Sequence, residues 1–239
     1  MTLAEIAALL GLNLALILAV MTVLWATAGR SGRVGFLDGV WPLAMAALAV
    51  LPFALTHGDP VRKGLLLWLV ALWALPQAWR RLTPAARAGA DHGYALRVKA
   101  VAADRGWAPS RVRLGLFFLP QAVLAWLAAL PVQLGQVDFM PPVGWIGWAG
   151  AVIAVVGIGV EGVGSLRTAT TADGPPLRGV RRWLGRPDCV GDLAVWWGLF
   201  LIAAETGPGR ASVLGPIFLT WALAHRVRTE NPRRASDGG

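Results

Sequence analysis

Asp38, Gln121, Gln133, Glu161, Asp192 and Glu205 are polar side chains lying within, or at the ends of, strongly apolar stretches. Such groups are costly in hydrocarbon, so each one is a candidate for pairing, positioning or proton transfer. Asp38 precedes Trp41 by three residues, which puts both on one face of a helix. Asp38, Glu161 and Asp192 read as three acids near the same membrane face, with Arg182, Arg186 and Arg226 as available partners. Glu205, near the outer end of its segment, reads as a side chain that reaches water. The plain alternative for each is a helix-end residue or an interhelical hydrogen bond.

A second concentration of chemistry lies in Gly179-Val-Arg-Arg-Trp-Leu-Gly-Arg-Pro-Asp-Cys-Val-Gly191-Asp192. Guanidinium forks suit phosphate oxygens, and Pro187 marks the start of a helix whose N-terminal N–H groups favour anions. The sequence therefore allows a phosphate-bearing cofactor here, and equally a basic cytoplasmic loop capped by Asp188. No Gly-rich dinucleotide motif follows a strand. His57, His92 and His225 lack ligand spacing, and Cys189 is the lone cysteine, so neither a metal centre nor an intrachain disulfide is expected. No nucleophile–base arrangement stands out. The basic loops carry no nucleic-acid recognition motif.

The elements that must hold these groups follow from composition. Of 239 residues, 56% are apolar and 15% charged, against roughly 25% charged in soluble domains; mean hydropathy is +0.58. This excludes a soluble globular domain, a disordered tail and a disulfide-stapled module. A span needs about 20 apolar residues to cross a core ~30 Å thick. Seven segments qualify, three of them short: Leu3–Thr27, Phe36–Leu55, Gly64–Trp79, Leu114–Leu134, Val143–Ser165, Val190–Glu205 and Val213–Ala224. The expected fold is all-α, a polytopic helix bundle in one transmembrane domain over 1–230, with a polar tail over 231–239.

The net charge of +9 is unevenly placed. Arg80, Arg81, Arg87, Arg97, Lys99, Arg105, Arg111 and Arg113 fall in the third loop, and Arg167, Arg178, Arg181, Arg182 and Arg186 in the fifth. Arg226, Arg228, Arg233 and Arg234 fall in the tail, while the fourth loop has none. Because basic residues favour the cytoplasmic side, the N-terminus is expected outside and the C-terminus in the cytoplasm. Ala26-Thr27-Ala28 resembles a signal-peptidase site, but no basic region precedes it, and cleavage would invert the remaining spans. A multi-pass protein of the bacterial cytoplasmic membrane is expected. The two long cytoplasmic loops, Arg80–Arg113 and Leu166–Cys189, form its functional surface.

In order and spacing, several short motifs resemble the bacterial membrane proteins related to steroid 5-alpha-reductases, a group that also includes sterol reductases and isoprenylcysteine carboxyl methyltransferases. The resemblance covers nearly the whole chain. Asp38-Gly-Val-Trp41 is similar to an early D-x-x-W segment. Asp91-His-Gly-Tyr94 is similar to D-x-R-Y, with Gly93 in place of Arg. Gln121 through Leu130-Pro131-Val132-Gln133 resembles a Q…L-P-V-Q span, and Glu161-Gly-Val-Gly164-Ser165 an E-x-x-G-D. Gly191-Asp192 with Trp196-Trp197-Gly198 resembles G-E…W-W-G, and Arg226-Val227 an R-V in the last span.

The resemblance implies a helical enzyme that uses cytosolic NADPH to reduce a carbon–carbon double bond conjugated to a carbonyl in a steroid-like or isoprenoid lipid. The reductase-like cofactor motifs fall at about 114–230. On this reading Asp38, Tyr94 and Glu161 orient or protonate a hydrophobic substrate, and Arg182, Arg186, Asp188, Gly191, Asp192 and Arg226 hold the cofactor. The family's R-x-x-R-H-P-N-Y-F-G-E departs here, with Gly185, Arg186, Asp188 and Cys189 in place of Arg, His, Asn and Tyr. Ser165 stands where an Asp is usual, and Pro76 where the third span often carries an Arg. Two further readings follow: an S-adenosylmethionine-dependent methyltransferase of the isoprenylcysteine type, and a non-catalytic membrane protein that keeps the fold and a lipid pocket.

Overall fold

The computed structural model describes residues 1–28, 33–168 and 187–229. Among these the chain is helical, with no strand: α1 (Leu3–Ala28), α2 (Leu37–Ala47), α3 (Val50–Leu55), α4 (Pro60–Arg81), α5 (Pro84–Arg105), α6 (Pro109–Arg113), a π-helical turn (Leu114–Phe118), α7 (Leu119–Ala128), α8 (Leu130–Leu134), α9 (Trp145–Thr168), α10 (Pro187–Ala203), α11 (Gly207–Ala211) and α12 (Leu214–Thr229). Four segments among the described residues are long and apolar enough to cross a membrane: Leu3–Ala28, Leu37–Leu55, Pro109–Ala128 and Trp145–Gly164. Of the remaining three expected spans, Gly64–Trp79 lies within α4, while Val190–Glu205 and Val213–Ala224 overlap α10 and α12.

The helices group into two compact units. The first comprises Met1–Thr56 and Val70–Ala129, the second His57–Leu69 and Leu130–Gly239. α4 contributes its beginning to the second unit and its remainder to the first.

In the first unit α1 runs antiparallel to the stretch from α6 to α7, and two indole N–H groups pin them together. Trp25 Nε1 donates to Ser110 O at 3.0 Å, and Trp126 Nε1 to Leu10 O at 3.0 Å. The second apolar segment is broken between α2 and α3. Pro52 has no N–H to offer Leu48 four residues back, and Asn13 Nδ2, buried on α1, donates to Leu48 O at 2.9 Å instead. The π turn sits just before Pro120, which cannot donate to Leu116; the Leu119 N–H reaches back to Leu114 O.

The third loop is not loop-like. α5 fills most of it, started by Thr83, whose hydroxyl accepts from Ala86 N, with Pro84 in the first turn. Gly106, in the left-handed conformation at φ 63°, ends the helix.

The second unit is built on the antiparallel pair α9 and α10. A seam of small residues lets the backbones approach: a Cβ at Gly150 would lie 2.6 Å from Gly198 O, and one at Gly157 2.8 Å from Gly191 O. A Cβ at Gly191 would strike the Glu161 backbone. Close approach of this kind drives helix association where no hydrophobic contrast exists between helix and lipid.

Candidate functional site

The first unit brings Asp38, Tyr94 and Gln121 together from three elements. The local sequence dictates how. Asp91 and Tyr94 are three apart on α5 and so share a face. Asp91 Oδ1 accepts from Val34 N at 2.7 Å and Gly35 N at 2.6 Å, which docks the chain before α2 onto α5. Gly35 is required there, because a side chain would strike Arg87 O and Asp91. This places Asp38, in the first turn of α2, opposite Tyr94. The Tyr94 hydroxyl donates to Asp38 Oδ1 at 2.7 Å.

Gln121 enters from α7, where Nε2 donates to the Tyr94 oxygen at 3.3 Å. Gln121 Oε1 is buried with no partner among the described residues. The amide assignment follows from the hydroxyl: its one proton is on Asp38, so it presents only lone pairs to Gln121.

Aromatic rings frame the site. Phe117, on the π turn and four residues before Gln121, meets Tyr94 edge-on with centroids 4.8 Å apart. Phe118 is fully buried and lies 6.3 Å from Phe36. π turns often occur where a helix must aim side chains at a functional site. Arg81 reaches the same corner, with Nη1 donating to Asp38 O at 3.4 Å and Nη2 bonded to Gln77 Oε1.

Burial holds the Tyr94 phenol well above its ordinary range. The Asp38 charge and the hydrogen bond to it push the same way, while Gln121 and Arg97 oppose. Tyr94 is therefore a hydroxyl that keeps its proton, buttressed on one side by a carboxylate and on the other by a carboxamide. Such an arrangement can donate a hydrogen bond to a carbonyl oxygen and pass it a proton.

The other expected site residues lie in the second unit or outside the described residues. Glu161 is buried on α9 and its backbone meets Gly191 of α10. Gly191 thus serves close helix packing. Asp188 and Asp192 are half-buried in the first turns of α10, and buried Cys189 Sγ lies 3.8 Å from Asp188 Oδ2. Arg182 and Arg186 lie outside the described residues. Arg226 sits on α12, its side chain outside them as well. No group of His, Cys, Asp and Glu that could hold a metal occurs among the described residues.

Sequence reasoning gave no role to Arg62, Asp91 or Arg81. Arg62 is fully buried in the second unit. Nη2 donates to Pro141 O at 2.7 Å and pairs with Glu205 Oε2 at 3.4 Å, and Nε donates to Ile202 O at 3.2 Å. Glu205 does not reach water as expected: it accepts from Gly144 N at 2.9 Å and Gly147 N at 2.8 Å, capping the start of α9. No signal in the sequence links residues 143 positions apart. For Asp91, the three-residue spacing to Tyr94 was the available clue.

A helical chain with four segments, among the described residues, long and apolar enough to cross a membrane, and with a half-buried carboxylate–phenol–carboxamide cluster, reads as a membrane protein with a polar site. The family model described as "Protein of unknown function (DUF1295)" matches residues 24–231, and the chain belongs to that family. No curated protein and no solved structure matches it.

Proposed function

We propose that this protein is a membrane-embedded reductase that uses NADPH to saturate a carbon–carbon double bond conjugated to a carbonyl in a steroid-like or isoprenoid lipid. The observation that carries the reading is the Tyr94 hydroxyl held between Asp38 and Gln121. A conjugated carbonyl accepts hydride at its β-carbon only if the charge developing on its oxygen is stabilised, and a protonated phenol does this.

Tyr94 Oη donates to the carbonyl oxygen. As the β-carbon gains hydride, the proton moves from Tyr94 to the enolate oxygen, and Tyr94 takes a proton back from the solvent. The enol then tautomerises to the saturated ketone. Asp38 accepts the Tyr94 hydrogen bond in the resting site and so orients the hydroxyl. Gln121 fixes the Tyr94 oxygen so that its proton points along this line.

NADPH supplies the hydride when bound. The described polar groups at the head of α10, Asp188 and Asp192, are carboxylates suited to accept from ribose hydroxyls or the carboxamide NH2. Neutralising the phosphates falls to Arg182, Arg186 and Arg226. Glu161 is kept as a substrate-orienting group.

The reading includes seven spans, the N-terminus outside and the C-terminus in the cytoplasm. It is supported by α4, 22 residues long, which exposes Trp68, Leu72, Leu75 and Trp79 in one stripe at helical spacing, as a lipid-facing helix does.

The test is NADPH oxidation by purified protein in nanodiscs, followed at 340 nm with 4-cholesten-3-one and with a polyprenyl enone, and product mass by mass spectrometry. A gain of two hydrogens in the lipid, lost in Tyr94→Phe, is expected. Methyl transfer from S-adenosylmethionine instead, or no turnover with any enone, would contradict the reading.

A further inference from the structure

Away from the Asp38–Tyr94–Gln121 cluster, Trp107 carries two arginines. Arg105 Cζ lies 5.2 Å from the ring centroid and Arg111 Cζ 4.7 Å. The backbone brings them there. α5 ends at Arg105, Gly106 reverses the chain in the left-handed conformation, and α6 restarts at Pro109. Both arginines are exposed, and neither forms an ion pair among the described residues, Asp104 included. A guanidinium stacked on an aromatic ring uses only its face, so the N–H donors around its edge stay available in a fixed orientation.

The depth of this platform is set by the helices. The crossing segment Pro109–Ala128 begins beside it, and its apolar run starts at Leu114. Five helical residues at 1.5 Å each place Pro109 about 7–8 Å outside that run, which is the headgroup layer of a bilayer. α1 ends at the same level, since Trp25 Nε1 is bonded to Ser110 O.

We propose that Arg105, Trp107 and Arg111 form a headgroup site for an anionic phospholipid. The phosphodiester oxygens accept from the guanidinium edges while Trp107 holds both cations in place at the interface. A choline headgroup would bring a cation against two guanidiniums, so the site discriminates against zwitterionic lipid. The inference rests on the membrane placement of Pro109–Ala128 and is independent of any reductase activity.

The full-length protein, equilibrated in detergent micelles with equal mole fractions of phosphatidylglycerol and phosphatidylcholine, is examined by native mass spectrometry. Circular dichroism confirms unchanged helicity of each variant. Preferential retention of phosphatidylglycerol is expected. Arg105→Ala and Arg111→Ala should each weaken it about fivefold, and the double variant about 25-fold, as removal of one or two basic groups from an anionic surface implies. Trp107→Leu leaves the charge intact yet should weaken retention roughly threefold, because the arginines lose the ring that orients them. Lys99→Ala, which removes an exposed cation from α5, should have no effect. Equal retention of the two lipids, an effect of Lys99→Ala as large as that of either arginine variant, or no effect of Trp107→Leu would overturn the proposal. So would displacement of the lipid by millimolar inorganic phosphate, which would assign the site to a soluble anion.

Discussion

Replacing Tyr94 by Phe removes one oxygen and leaves the ring. The edge-on contact with Phe117, at 4.8 Å between centroids, is therefore kept. Two hydrogen bonds are lost. The 2.7 Å bond to Asp38 is charge-assisted when Asp38 is ionised, and such bonds contribute about 1.5–3 kcal/mol. The 3.3 Å bond from Gln121 is long and adds about 0.5 kcal/mol. Stability should fall by about 2–3.5 kcal/mol, which for a chain of this size lowers Tm by roughly 4–14 °C. Activity should fall further, by about 10²- to 10⁴-fold, the usual contribution of a positioned proton donor. The assay pairs thermal unfolding in detergent with enone reduction in nanodiscs. A drop in Tm with unchanged turnover would make Tyr94 a structural residue only. No change in either would refute both the hydrogen-bond geometry and the mechanism built on it.

Tyr94 is the single tyrosine in the chain, so tyrosinate absorbance near 295 nm reports on it alone. Since burial and Asp38 raise its pKa, the folded protein should show no tyrosinate until well above pH 10, while the unfolded chain should titrate near 10. The neutral phenol favours the folded state, so this contribution to stability is complete below the unfolded pKa and is lost as pH rises through the folded one. Asp38→Asn should move the folded titration back toward 10. Arg62→Met leaves Glu205 without its cation, although the Gly144 and Gly147 amides still hold that carboxylate. A loss of about 3 kcal/mol is expected, at the low end for breaking a buried ion pair, and thermal unfolding reads it. Gly191→Leu forces a side chain into the Glu161 backbone; overpacking of this kind costs about 1–3 kcal/mol, and the variant should show reduced thermal stability.

Much of the helical framework was legible because apolar run length is a direct physical signal. α1 and α9 lie almost where composition puts them, and each of the other expected spans falls within or across helices. α5 was hidden in a basic loop, since it carries too few apolar residues to read as a span; its cap Thr83 and stop Gly106 are local, but the contacts that secure it, Asp91 to the Val34–Gly35 amides and Tyr94 to Asp38, join distant residues. Pro52 predicts a weak point in the second span, yet nothing local names Asn13 as the donor that replaces its missing N–H. Asp38 and Gln121 stood out as polar groups in apolar segments, and Tyr94 entered through resemblance alone. Their meeting is a tertiary fact. Arg62 was not legible, because a lone arginine carries no mark of its burial. Arg182 and Arg186, on which cofactor binding was placed, lie outside the described residues, so the phosphate side of the site stands on sequence.

The central claim is a nucleotide-dependent reductase, and its most direct test is an NADPH titration of the purified protein in nanodiscs. Energy transfer from the 13 tryptophans to the nicotinamide is the readout, with NADH and S-adenosylmethionine as controls. Saturable binding of NADPH in preference to NADH, weakened by Arg182→Ala and Arg186→Ala, is the result the account predicts. Well-folded protein that binds S-adenosylmethionine, or neither nucleotide, would contradict it.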